Sequence, residues 1–285
     1  MNRIVSVLSL ATVVAAVSAS VFSATPFLPT RDVRLTTPDD VGILGTYYPV
    51  ESSPAPAVLL IHSLGQGRTN WAAFAAALQQ NGIAAFAIDL RGHGESTRRL
   101  TADGAQVVDY RAFTPKDFQD LLIDVNAAMT WLEEQPGING DKIALIGAGL
   151  GANLALRYGT FREGIAGVVL LSPGINYKGI RTDDVVTKVG NLPLRIAVTE
   201  GAPFAFESAK RLIDLRKEAG HETVARELWV STGNLQGIEM IAGVRGLSNR
   251  LVGWLKEVLL GAPPQPEPPS PAPAPSKSKR PPARK

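Results

Sequence analysis

Between residues 33 and 50 the string VRLTTPDDVGILGTYYPV alternates apolar and polar positions around Asp39-Asp40, which predicts two strands joined at that turn. Residues 57–61 (AVLLI) and 83–89 (IAAFAID) are nearly unbroken apolar runs, the pattern of strands covered on both faces. Residues 142–146, 165–171 and 194–198 repeat it, and 225–230 predicts a last strand. Helical spacing fills the intervals. NWAAFAAALQQNG predicts a helix from a cap at Asn70 to a stop at Gly82, and residues 117–134 place Leu121, Leu122, Val125, Met129 and Leu132 on one side. Residues 151–158, 207–220 and 247–260 predict three more helices. Strands that alternate with helices and are too apolar to be half exposed imply an α/β chain with a mostly parallel, doubly wound sheet. Only residues 174–191 separate two consecutive strands, so no large cap domain is expected.

Composition changes this picture at the two ends. Residues 1–24 carry Arg3, an apolar run over 4–17 and then small residues, with no further charge until Arg31. This reads as an export signal, cleaved after Ala19 or Ser23, or retained as an N-terminal anchor; either way the body is expected outside the cytoplasm. Residues 262–285 hold 10 of the 21 prolines and five Lys or Arg, and predict an extended tail with nothing apolar to bury. Between them, residues 30–261 form the expected folded domain. Without leader and tail, the 29 Lys+Arg fall by six to 23 and the 26 Asp+Glu by one to 25, so the body is close to −2. The basic balance therefore belongs to the tail. No nucleic-acid partner is expected on the domain, while the tail is a candidate for anionic envelope components. The absence of cysteine removes disulfides, thiol nucleophiles and cysteine metal sites, and no metal or cofactor is expected.

The candidate chemistry lies in IALIGAGLGANLAL, residues 143–156, where a strand turns into a helix. Gly147-Ala148-Gly149-Leu150-Gly151-Ala152 satisfies the dinucleotide pattern G-x-G-x-x-G/A, but no carboxylate ends the next strand, which runs into Ser172. The same glycines fit the spacing of a nucleophile elbow, G-x-S-x-G, with glycine at position 149 in place of serine.

Two further strings decide the context: IHSLGQGRTNW after the strand 57–61, and AIDLRGHGES after the next one. With the glycine turn they resemble the bacterial α/β-hydrolase-fold family, of the dienelactone-hydrolase-like and serine-aminopeptidase-like kind, over residues 33–260. The resemblance implies an α/β-hydrolase fold, oxyanion-hole and cleft positions at His62, Ser63, Leu64 and Leu150, and a triad in the order Ser, Asp, His. In this chain the nucleophile position is Gly149. The acid position, in EGAP, is Ala202 with Glu200 nearby, and the histidine position, in STGNLQGIEMI, is Gln236. None of the three moves a proton near neutral pH. His62 and His93 stand in loops where the family uses neither as a base, and His221 follows a helix stop. The expectation is an exported, hydrolase-like protein without hydrolase activity, which binds a small ligand or a protein in the former cleft. The alternative is an active esterase- or amidase-type serine hydrolase with a relocated site, using Ser63 or another hydroxyl with His93 or His221.

Overall fold

The computed structural model describes residues 28–221 and 227–264; the leader and all but the first three residues of the tail lie outside the described residues. Twelve strands are described: β1 (Arg31–Thr36), β2 (Val41–Tyr48), β3 (Ala55–Ile61), β4 (Ala84–Ile88), β5 (Arg98–Thr101), β6 (Gly104–Val107), β7 (Ile138–Ala148), β8 (Ile165–Leu171), β9 (Asn176–Tyr177), β10 (Ile180–Arg181), β11 (Leu194–Thr199) and β12 (Leu228–Ser231). The helices are α1 (Ala72–Gln80), α2 (Pro115–Glu133), α3 (Leu150–Phe161), α4 (Pro203–Glu218), α5 (Glu239–Gly243) and α6 (Leu247–Leu260). The main sheet runs β12-β11-β8-β7-β3-β4-β2-β5-β6, with β1 also paired to β2. It is parallel from β12 to β4 and antiparallel from β4 onward.

The unbroken apolar runs are explained by two cores. Ala57, Leu59 and Ile61 of β3 face one side, packed with α2, α3 and α4. Val58 and Leu60 face the other, packed with α1 and α6. A strand buried on both faces has no polar period to show.

Element boundaries follow local chemistry. α2 begins at Pro115, two residues ahead of the predicted start, because Thr114 and Asp117 form a reciprocal capping box. α1 begins at Ala72, behind a 3-10 turn at Arg68–Trp71. That turn is pinned from the end of the neighbouring strand: the Asp89 carboxylate, just after β4, accepts from the Arg68 N–H at 2.6 Å and also pairs with its guanidinium. The predicted elements leave out the hairpin β5–β6 and the small hairpin β9–β10. Neither has an apolar run of its own; β5 is held by pairing with β2 and by the Arg99–Asp39 ion pair at 2.9 Å.

The loop DLRGHGES is a structural knot. Arg91 is 2 % exposed; it donates from Nε to Asp124 of α2 at 2.7 Å and from Nη1 and Nη2 to Asp39 of the β1–β2 turn at 2.6 and 2.9 Å. The Arg91 hydrogen bond is the main reason the Asp39 carboxyl is held well below its usual range.

Candidate functional site

The turn between β7 and α3 is built from glycines for reasons visible in the backbone. A Cβ on Gly147 would lie 2.0 Å from the Gly151 carbonyl oxygen, and one on Gly151 would lie 2.4 Å from that of Ile61. These two positions let the helix start directly against the neighbouring strand ends. Gly149, between them, has φ 52° and ψ −117°, a region that L side chains rarely adopt. Its N–H donates to Leu171 O at 2.9 Å, and its carbonyl accepts from Ala152 and Asn153 at the helix start. This is the sharp strand-to-helix turn that holds up a nucleophile where a side chain is present; here it holds up none.

Ser63 fills the space that results. A Cβ at Gly149 would stand 2.9 Å from Ser63 Oγ and 3.3 Å from Ser63 Cβ. A Cβ at Gly237 would also stand 2.9 Å from Ser63 Oγ, so the serine hydroxymethyl is wedged between two glycines on opposite loops. Gly237 is fixed there because its N–H donates to Ser172 Oγ at 2.9 Å, and Thr199 Oγ1 donates to Leu235 O at 2.8 Å. Ser172 itself adopts φ 54° at the end of β8. Gln236, next to Gly237, is exposed. The residue of this loop that backs onto the elbow is therefore Gly237, and its approach was not signalled by any local pattern.

Ala202 is 1 % exposed at the N-cap of α4, where its N–H donates to Thr199 O at 3.2 Å. Glu200 is exposed, with its N–H donating to Ser231 O at 3.0 Å. His221 follows α4, whose 16 residues span about 24 Å, and so lies at the opposite end of the sheet from Ala202.

The two remaining histidines serve the backbone. The Leu90 N–H donates to His62 Nε2 at 3.0 Å, so the ring proton must be on Nδ1, which donates to Ser63 O at 2.7 Å. Complete burial pushes His62 down to about 4, with His93 adding to the shift, and the imidazole is neutral. His93 stacks on Tyr110 at 4.1 Å and has Nδ1 3.0 Å from Arg91 O; its buried Nε2 has no partner among the described residues. Burial lowers its pKa too.

The N–H groups of Leu64 and Leu150 make no hydrogen bond among the described residues. One follows β3 and the other opens α3. Position 149 itself carries no side chain, position 202 no titratable group and position 236 an amide.

Residues 52–204, more than half of the chain, match the family model described as serine aminopeptidase, S33. A protein of Mycobacterium tuberculosis (strain H37Rv), described only as uncharacterized, is 32 % identical over 153 residues, covering 53 % of this chain and 48 % of that one. A polyketide transferase, GrgF, of a Penicillium species is 28 % identical over 159 residues, with the same coverage of 53 % and 48 %. The chain spans about half the length of the curated relatives it matches. Among solved structures, the α/β hydrolase GrgF from Penicillium sp. sh18 superposes with a TM-score of 0.63 at 18 % identity over 82 % of this chain and 100 % of that one. The Pyrococcus furiosus esterase does so at 0.61 and 19 %, over 82 % of this chain and 92 % of its own. Strand order, the strand-to-helix turn and the family match agree: the chain belongs to the serine aminopeptidase S33 family and has the α/β-hydrolase fold, with no sizeable cap.

Proposed function

We propose that this protein is a non-hydrolytic member of its family, exported by its leader, in which the former active-site cleft binds a small ligand or a partner protein. The observation that carries the reading is Gly149, the residue in the strained turn where the fold presents a nucleophile. Ala202, Gln236 and its neighbour Gly237 support it, because no group at these positions takes up a proton near neutral pH. Loss of an acyl-transfer nucleophile or base costs on the order of 10⁶ in turnover, so residual chemistry from donors and binding is at most about 10³ to 10⁴ over water. The ligand class that suits the retained Leu64 and Leu150 donors is a compound with a carbonyl or carboxylate oxygen. The tail, with its five cations, is proposed to keep the domain near anionic envelope surfaces.

A second reading is favoured by one contact: Ser63 Oγ lies 2.9 Å from where a Cβ at Gly149 would stand. In it Ser63 is a relocated nucleophile. A fluorophosphonate probe followed by intact-mass measurement separates the two. The non-hydrolytic reading expects no adduct on the parent chain; an adduct that disappears in Ser63→Ala would establish the second reading instead.

A further inference from the structure

The arginines of the domain are mostly committed to partners: Arg68 to Asp89 and Glu95, Arg91 to Asp39 and Asp124, Arg216 to Glu227. Arg34 and Arg98 are not, and among the described residues neither has an ion pair, a side-chain hydrogen bond or a ring contact. Both line one cleft of about 410 Å³, beside β1, β2 and the loop that follows β4.

The sheet register explains why they meet. Thr36 of β1 pairs with Gly42 of β2, and Gly42 pairs with Arg98 of β5, so three residues stand in a row across three strands. Directly paired residues project from the same face, and Arg34, two places along β1 and paired with Leu44, shares it. At the centre of the row Gly42 offers no side chain; a Cβ there would meet only Arg98 O, at 3.6 Å. Two strand spacings and two residues of rise put the Arg34 and Arg98 Cα atoms about 12 Å apart, so both guanidinium groups reach a single small ligand above Gly42. The hydroxyl of Thr36, which lines the cleft on that face, has no partner among the described residues. The one carboxylate on its wall, Glu95, is already held by Arg68 at 2.6 Å.

We propose that this cleft is an anion site that takes a phosphate monoester, clamped by Arg34 and Arg98 with the Thr36 hydroxyl donating beside them. Two guanidinium forks supply the charge and geometry that a dianionic phosphate group requires. The cleft is built on β2, three strands from β7 and so about 14 Å from the elbow strand. It does not depend on whether the elbow is active.

The test is calorimetric titration of the full chain with inorganic phosphate at low salt, in the parent and in Arg34→Gln, Arg98→Gln and Glu95→Gln, with the exposed Arg245→Gln as control and circular dichroism to confirm folding. Saturable binding is expected, weakened at least tenfold in each of Arg34→Gln and Arg98→Gln, tightened in Glu95→Gln and unchanged in Arg245→Gln. Absence of saturable binding, or binding that survives Arg34→Gln and Arg98→Gln together, would overturn the proposal. Co-sedimentation with phosphatidylcholine vesicles with and without phosphatidic acid then identifies the source. Capture only with phosphatidic acid, lost in the double variant, assigns a lipid headgroup; no capture beside intact phosphate binding assigns a soluble monoester.

Discussion

Ser63 and Gly149 compete for one volume. Placing serine at 149 puts a Cβ 2.9 Å from Ser63 Oγ and forces a side chain into φ 52°, a strain of about 1 to 3 kcal/mol. Gly149→Ser is therefore expected to destabilise the domain by more than that strain alone, and Ser63→Gly in the same chain to recover part of the loss. Denaturant unfolding of the two single variants and the double variant checks this; a coupling of at least about 0.5 kcal/mol is expected, and simple additivity would contradict the contact. His62 gives a second residue-scale expectation. Its ordinary pKa of 6.5 falls to about 4 in the fold, so below 6.5 the unfolded chain binds the proton first. Stability is complete above 6.5 and lost as pH falls toward 4, by about 3 kcal/mol from this group. The buried Asp124, raised to about 7, contributes a slope of opposite sign over the same window, so the His62 part is read as the difference in melting temperature between the parent and His62→Gln, which should shrink as pH falls from 6.5 toward 4.

Among the elements, the β1–β2 turn, the loop after β4 and α2 are tied through Arg91. Asp124→Ala leaves a buried guanidinium with only Asp39 and is expected to cost about 3 to 5 kcal/mol, whereas Asp124→Asn, which keeps an acceptor, should cost less; urea midpoints compare the two. Elements of this kind were unevenly legible in the sequence. β8 and α6 match their predicted bounds because each is an apolar pattern buried against the cores. The β5–β6 hairpin was invisible, since its residues are mostly exposed and its order comes from a partner strand distant in sequence. Near the elbow, Gly149 stands immediately after β7 and Ala202 three residues after β11 at the N-cap of α4, positions that follow from elements the apolar pattern already predicts. The approach of Gly237 to Ser63 was not legible, because it depends on where the loop between β12 and α5 crosses the sheet, and a lone glycine carries no sign of that. Nothing local links Arg34 and Arg98 either, because it is the pairing of β1 and β5 with β2 that places them on one face.

At the scale of the whole molecule, the chain combines a nearly neutral body with a basic, proline-rich tail, on a fold whose relatives among solved structures include esterases. The framework keeps the parts that are also structural: the crossing glycines, the buried His62 and the Asp89 and Arg91 networks. On the proposed reading, what it lacks are groups that serve only acyl transfer. The central claim is tested most directly by steady-state turnover of purified full-length protein on a panel of short-chain esters and amides. Turnover indistinguishable from that of the heat-inactivated sample is expected. Saturable hydrolysis well above that control, retained through repeated purification, would contradict it.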